Sequence, residues 1–420
     1  MQVLLLSIAD GKWGGARAAY RLHQGLQANQ VNSQMLVQSK FSADPTVIGP
    51  PQQVGRLTTK LRSTLDGLPL IRYPHRNAPD FSCQWLPDTL ANQIAQRKPD
   101  ILNLHWACAG YLQVETLAHL PYPMVWTLHD MWAFTGGCHY NQDCERYTLN
   151  CGACPQLGSQ DPGDLSHWVW QRKQRAWANL NLTLVTPSQW LADCARRSGL
   201  FHNRRIEVIP NGIDLSQYQP QSKNQVRQQF NLPTEQKLIL FGAMKAGQDE
   251  RKGFHLLQPA LKALSQSGWA DQAALVIFGA KAPAQPPDFG FPTYYLGNLN
   301  SETALAQAYA AADVFVAPSR QDNLPNTVLE ALACGTPSVT FAIGGMPDLI
   351  AHQRQGYLAQ PFDTKDLAQG IAWVLTDPDR HQKLTLAARQ KVEQTFGLNR
   401  QAQAYQSLFA ELFAKTPGQK

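Results

Sequence analysis

The residues whose types and spacing best suit chemistry lie between 318 and 337. There the chain reads Pro318-Ser319-Arg320-Gln321-Asp322-Asn323-Leu324-Pro325-Asn326-Thr327-Val328-Leu329-Glu330 and runs on to Gly335-Thr336-Pro337. A strand is expected to end at Pro318 and a helix to begin near Pro325, a residue suited to a first helical turn. The amides that open such a helix, with its dipole, favour a bound anion. Asn323, Leu324, Pro325, Asn326 and Thr327 are therefore candidate anion-side residues. Glu330 falls in the second turn, where its carboxylate can accept hydrogen bonds from a ribose. Asp322 precedes the helix, so both carboxylates can border one cleft while staying separate. Spacing alone also fits a helix carrying a surface acid. Upstream, Arg251-Lys252-Gly253 follows an expected strand at 238–241 that exits into Gly242; in isolation such a pair is a solvated helix start.

Two further stretches sit at strand exits. Gly14-Gly15 precedes a helix, with Gly14 permitting the turn. Thr127-Leu128-His129-Asp130 places a histidine after an apolar run, and His105-Trp106 has a similar address. There is no Walker lysine and no G-x-G-x-x-G, which argues against a nucleoside triphosphatase or a dehydrogenase.

In this order, these segments resemble the large retaining glycosyltransferase family 4, a resemblance that extends through nearly the whole chain. Asp322 and Glu330 are similar to its carboxylate-x₇-Glu signature, with Asp322 where the family usually has Glu. The resemblance implies that Asp322 serves the donor sugar and that Glu330 binds the nucleotide ribose. Phe241-Gly242-Ala243-Met244 followed by Arg251-Lys252-Gly253-Phe254 resembles the family's diphosphate site. Ala243 stands where an Arg is common, and Arg251, or Lys245, is expected to supply that charge. By the same resemblance Gly15 approaches the donor diphosphate and His129 is aimed at the donor sugar, while His105 is acceptor-side or structural. Val208-Ile209-Pro210-Asn211-Gly212-Ile213-Asp214, Gly297 before Ser301, and Gly344-Gly345 extend the match.

The implied fold is GT-B, two Rossmann-like doubly wound domains facing a cleft, with C-terminal helices crossing back to the first. The implied activity is retaining transfer of a hexose-type sugar from a UDP or GDP donor to a saccharide or lipid-linked hydroxyl. His129, Lys252 and Asp322 are the expected catalytic residues, and no cofactor is required for the reaction. A sugar-nucleotide epimerase and a non-catalytic nucleotide-sugar-binding protein are the rival readings.

Cys138, Cys144, Cys151 and Cys154 are spaced C-x₅-C-x₆-C-x₂-C, a set able to close a tetrahedral structural Zn²⁺ site. His139 is a substitute ligand, and disulfides or plain thiols are the alternatives. Asp377-Pro378-Asp379 reads as a helix cap with proline in the first turn rather than as a metal site.

The elements that must position these residues follow from composition and patterning. The chain has 420 residues, 44% of them hydrophobic, a size that favours two domains. Its net charge of +6 suits an anionic ligand, and no nucleic-acid-binding pattern is present. The opening apolar run is too short for a signal peptide, and no stretch approaches eighteen apolar residues, so a cytoplasmic location is expected. Short apolar runs alternate with Gly-rich turns and amphipathic helices, which signals parallel sheets covered by helices. Strands are expected at 3–8, 101–105, 124–128 and 182–186, then at 238–241, 275–278, 294–296, 314–317 and 338–341. The domains are drawn as 1–200, with a Cys-rich insertion at 137–155, then 201–385, and a returning helix at 386–420. Arg56, Lys60, Arg62, Arg72 and Arg76 alternate with Leu57, Leu61, Leu65, Leu68, Leu70 and Ile71. This segment is a solvated helix face or a peripheral contact with the inner membrane surface.

Overall fold

The computed structural model describes residues 1–11, 13–77, 80–242 and 249–415. By its contacts the chain divides into two compact units. The first comprises Met1–Gly212 together with the chain from Leu398 onward, and the second is Ile213–Gly397.

Among the described residues, the strands of the first unit are β1 (Gln2–Ala9), β2 (Asn32–Ser39), β3 (Val47–Ile48), β4 (Ile101–Leu104), β5 (Met124–Thr127), β6 (Leu182–Thr186) and β7 (Arg205–Val208). They form a parallel sheet in the order β3-β2-β1-β4-β5-β6-β7. Parallel neighbours need crossover connections, and helices supply most of them. These are α1 (Gly14–Ala28), α2 (Gln52–Asp66), α3 (Leu90–Ala95), α4 (Leu165–Trp177) and α5 (Gln189–Arg197). The central strands β1, β4 and β5 are covered on both faces and so read as near-continuous apolar runs, buried almost throughout.

The second unit repeats the scheme with β8 (Lys237–Gly242), β9 (Ala273–Phe278), β10 (Thr293–Gly297), β11 (Val314–Ala317), β12 (Ser338–Phe341) and β13 (Gly356–Ala359). Their order, β10-β9-β8-β11-β12-β13, is the doubly wound 3-2-1-4-5-6 arrangement. Its helices are α6 (Lys223–Gln229), α7 (Phe254–Leu264), α8 (Glu302–Ala311), α9 (Asn326–Ala333), α10 (Met346–Leu349), α11 (Thr364–Thr376) and α12 (Pro378–Thr395). Asp377 caps α12, its side chain accepting from the amides of Asp379 and Arg380. One buried acid ties α6 to this sheet. Asp313, at the foot of β11, accepts from Arg227 Nη2 at 2.7 Å, Lys223 Nζ at 2.7 Å and the Leu238 amide at 2.8 Å.

The last helix, α13 (Leu398–Ala414), belongs to the first unit. Ala402, Tyr405, Leu408 and Phe409 share one face of it and bury against the cluster that holds Ala19, Leu22 and Leu26 of α1. The boundaries therefore differ from those drawn from sequence. The crossings fall after Gly212 and Gly397 instead of 200 and 385, and only α13 returns, because α12 stays in the second unit. Among the described residues no helix is long and apolar enough to cross a membrane.

Candidate active site

In open α/β sheets ligands collect beyond the carboxyl ends of the strands where the strand order reverses. In the second unit that point lies between β8 and β11. The chain leaves β11 at Ala317 and runs through Pro318–Pro325 into α9. The short turn Glu250–Lys252 approaches this loop, and Gly253 makes the approach possible. Its φ is +71°, and a Cβ there would stand 1.8 Å from the Pro318 carbonyl oxygen. Lys252 Nζ donates to Asp322 Oδ2 at 2.7 Å. Arg251 Nη1 lies 3.5 Å from the same oxygen and donates to the Gln321 carbonyl at 3.1 Å. The Arg320 amide returns a bond to the Arg251 carbonyl at 2.7 Å. From the other side the Gly345 amide donates to the Asp322 carbonyl at 3.1 Å, and a Cβ on Gly344 would collide with that carbonyl at 2.0 Å.

Burial pushes the Asp322 carboxyl up, but the Lys252 ammonium and the Arg251 guanidinium outweigh it and hold the group below the usual carboxylate range. Asp322 is therefore an anion paired with two cations. Asn323 is buried, Asn326 and Thr327 are half-buried at the opening of α9, and Pro325 caps that helix. Leu324 packs into the apolar core, so only its backbone is available to a ligand. Glu330 is 1% exposed and accepts from the Tyr309 hydroxyl at 3.1 Å. Ala243 and Lys245 lie outside the described residues.

In the first unit the strand order reverses between β1 and β4. Gly15, in the first turn of α1, is pressed against His129: a Cβ there would stand 3.1 Å from His129 Cγ. His129 is half-buried and stacks on His105, ring centroids 5.3 Å apart, with His105 Nδ1 and His129 Nε2 at 3.0 Å. His105 Nε2 meets Asn103 Oδ1 at 2.9 Å. Asp130, next in the chain, accepts from Trp106 Nε1 at 2.7 Å and pairs with His139 Nδ1 at 2.6 Å. Burial raises the Asp130 carboxyl, while His139 and the hydrogen bonds bring it down again to a net lowering.

Lys173 on α4 is fully buried beneath this loop. Its ammonium donates to the carbonyls of Trp132 and Thr135, the latter at 3.0 Å, and lies 3.5 Å from the centroid of the Trp132 ring. Burial lowers it to about 7. It holds the turn that follows His129-Asp130, and sequence reasoning missed it. The available signal was its period: Val169, Trp170, Lys173 and Trp177 share one helix face, where a lysine stands among apolar side chains. Asn103, a carboxamide inside the apolar strand Ile-Leu-Asn-Leu, was missed likewise.

Cys138, Cys144, Cys151 and Cys154 line one small cavity with Phe81, Thr135 and Tyr147. All four are free thiols. Burial raises Cys138 and Cys154 and pushes Cys151 up to about 12. Among the described residues no group of three or more His, Cys, Asp or Glu side chains is arranged to hold a metal ion. The structure gathers the four thiols around one cavity.

Comparison with known proteins gives the chain its place. The family model described as "Glycosyl transferases group 1" matches residues 235–377, and that of "Glycosyltransferase Family 4" matches residues 14–217. The chain belongs to the family 4, group 1 glycosyltransferases.

Among relatives of this family member, the sulfoquinovosyl transferase SQD2 of Arabidopsis thaliana is 26% identical over 73% of this chain. A D-inositol 3-phosphate glycosyltransferase of an Arthrobacter species is 25% identical over 94% of this chain and 89% of its own length. The chain spans about half the length of other curated relatives it matches, 56% of SQD2 and 53% of the D-inositol 3-phosphate glycosyltransferase of Xylanimonas cellulosilytica. Among solved structures, sucrose-phosphate synthase of Thermosynechococcus elongatus superposes with a TM-score of 0.70 at 19% identity, covering 99% of this chain and 100% of that one. Anabaena HepE, solved in complex with UDP, has a TM-score of 0.63 at 17% identity, over 98% and 100% of the two chains. These likenesses show the GT-B fold.

Proposed function

We propose that the chain is a retaining glycosyltransferase that moves a hexose-type sugar from a UDP or GDP donor to a hydroxyl of a saccharide or lipid-linked acceptor. The observation that carries this reading is the meeting of Lys252 and Arg251 with Asp322 on the loop that leads into α9. Two cations and a helix N-terminus converge within one unit, and a pyrophosphate is the ligand that uses both. In the reaction the anomeric carbon–phosphate oxygen bond breaks and a bond to the acceptor oxygen forms. The acceptor proton passes to the departing phosphate oxygen, so no protein base is needed. Lys252 turns from Asp322 toward the growing phosphate charge, and Asp322 remains for the sugar. His129 serves the donor sugar and Gly15 the diphosphate, as the family resemblance assigns them.

Calorimetric titration with UDP-glucose and GDP-mannose tests the nucleotide side. Glu330→Gln is expected to weaken nucleotide binding by about 1.5–3 kcal/mol, the range for a hydrogen bond to a charged group. An unchanged Kd removes Glu330 from the nucleotide. The product's anomeric configuration, read by NMR, tests retention; inversion rejects it.

We assign the acceptor side a location at the cytosolic face of an anionic membrane, reached through α2. Val54, Leu57 and Leu61 stand 56–70% exposed on this helix, with Leu68 and Ile71 exposed just beyond it. Arg56, Lys60 and Arg72 are exposed alongside. An apolar stripe flanked by cations matches the headgroup boundary of an anionic bilayer. The protein is expected to float with phosphatidylglycerol vesicles and not with phosphatidylcholine ones, and Leu57→Glu with Leu61→Glu is expected to release it. Equal partition between the two lipids refutes the assignment.

A further inference from the structure

We propose that His105 is a positioning residue which, held by Asn103, fixes His129 as the tautomer with its hydrogen on Nε2 and its lone pair on Nδ1. All the atoms involved lie in the first unit, and the use of His129 at a sugar rests on the transferase reading above.

The chain of bonds starts at an amide whose orientation is set. Asn103 Nδ2 donates to the Val125 carbonyl at 3.0 Å and to Thr127 Oγ1 at 3.2 Å. A carbonyl can only accept, so the NH₂ end must face β5 and Oδ1 must face His105 Nε2, 2.9 Å away. A carboxamide oxygen cannot donate, so Nε2 of His105 carries the hydrogen. Asn103 and His105 are 0% and 2% exposed. Burial, with His129 beside it, holds His105 well below the ordinary imidazole range. The ring is therefore neutral at pH 7, and Nδ1 keeps its lone pair. His129 Nε2, 3.0 Å from that nitrogen, is left as the donor. Burial also lowers His129 to about 4, so it too carries a single hydrogen, and its Nδ1 is an acceptor.

The far end is equally anchored. Thr127 Oγ1, which receives the Asn103 amide, is 2.9 Å from the Tyr405 hydroxyl on α13. Any group that meets His129 Nδ1 must supply a hydrogen. A sugar hydroxyl does so, whereas a carboxylate, a phosphate oxygen or a fluorine substituent does not. The two-histidine stack thus fixes which kind of partner His129 Nδ1 can take, and it does so through a residue that needs no contact with that partner.

The deciding measurement is a two-dimensional ¹⁵N–¹H spectrum of histidine-labelled protein at pH 7, with His129 assigned by its loss in His129→Asn. The expected result is a protonated-type Nε2 and an unprotonated-type Nδ1. A hydrogen on Nδ1, or on both nitrogens, overturns the proposal in the wild-type protein alone. Two variants test the role of the relay. His105→Ala is expected to replace the single tautomer by an averaged signature. Asn103→Asp favours an imidazolium at His105, whose Nδ1–H then donates, and is expected to move the His129 hydrogen to Nδ1. An unaltered Nε2–H tautomer in either variant, with its melting temperature retained, shows that His105 does not set it. The spectrum is read without any sugar. Failure of nucleotide-sugar binding would therefore refute the transferase reading and leave the tautomer result standing.

Discussion

Lys252→Ala is expected to lower kcat by about a hundredfold at saturating donor, within the 10²–10³ range for removing one preorganised donor to developing charge. The loss should fall on turnover because the lysine's partner changes during the reaction. In the resting structure Lys252 is paired with Asp322 at 2.7 Å. As the anomeric bond breaks, the phosphate oxygen gains a further negative charge and draws the ammonium more strongly than the bound donor does. The variant should remain folded, since Lys252 is 32% exposed and Arg251 Nη1 stays 3.5 Å from the same carboxylate. Lys252→Arg keeps the charge but replaces a rotatable point donor by a planar fork, and is expected to recover only part of the rate. Steady-state kinetics with melting temperatures for both variants check this. Near-normal turnover in Lys252→Ala would remove the lysine from the mechanism.

Asp313→Ala is expected to produce the largest loss of stability, about 3–5 kcal/mol, because it leaves a buried cation without its partner. Arg227 is 5% exposed, and the Asp313 side chain accepts from it, from Lys223 and from the Leu238 amide. For a unit of this size the melting point should fall by roughly 6–20 °C. Asp313→Asn keeps an acceptor and should lose less. The same group sets a pH dependence of definite sign. Burial raises Asp313, but Lys223 and Arg227 prevail and bring it to about 2, below the unfolded value near 3.8. Its contribution is therefore complete above about pH 4 and is lost as pH falls through about 2. Denaturant titrations between pH 2 and pH 5 should show this slope in the wild-type protein and a shallower one in Asp313→Ala. Parallel slopes would mean that Asp313 is not held low.

What the sequence disclosed and what it hid follow from one distinction. Central parallel strands announce themselves, because burial on both faces makes β1, β8, β9 and β11 nearly uninterrupted apolar runs. The loop from Pro318 to Pro325 was legible for a related reason: two prolines and polar residues, Asp322 among them, punctuate the end of such a run. Strand β2 was not legible. Its sequence, Asn-Ser-Gln-Met-Leu-Val-Gln-Ser, is polar at five of its eight positions, yet Ser33, Gln38 and Ser39 are buried. The edge strand β7, Arg-Ile-Glu-Val, alternates charged and apolar residues, but over only four positions, the shortest run that can carry a strand signal. At the site, types were readable and partners were not. Spacing pointed to Lys252 and Asp322 separately; their bond links residues 70 apart in sequence. Glu330 was expected to face a ribose, and nothing local revealed that Tyr309 already bonds to it. The domain crossing was misplaced because α12 and α13 both read as plain amphipathic helices. Only the partners of Ala402, Tyr405 and Phe409 show that the second of them returns to α1.

The return of α13 has a consequence for synthesis. Ile213 and Gly397 pair across a single bridge, and the Ile213 amide donates to the Phe396 carbonyl at 2.9 Å. The second unit is thus a guest spliced into the first, and its two junctions are stitched together. On the ribosome every strand of the host sheet emerges before the guest begins, but the side of α1 that packs on α13 stays bare until the final helix is translated. The nascent host must carry that greasy flank through the making of nearly two hundred residues, and a stop codon shortly after Gly397 would spare the guest while crippling the host unit.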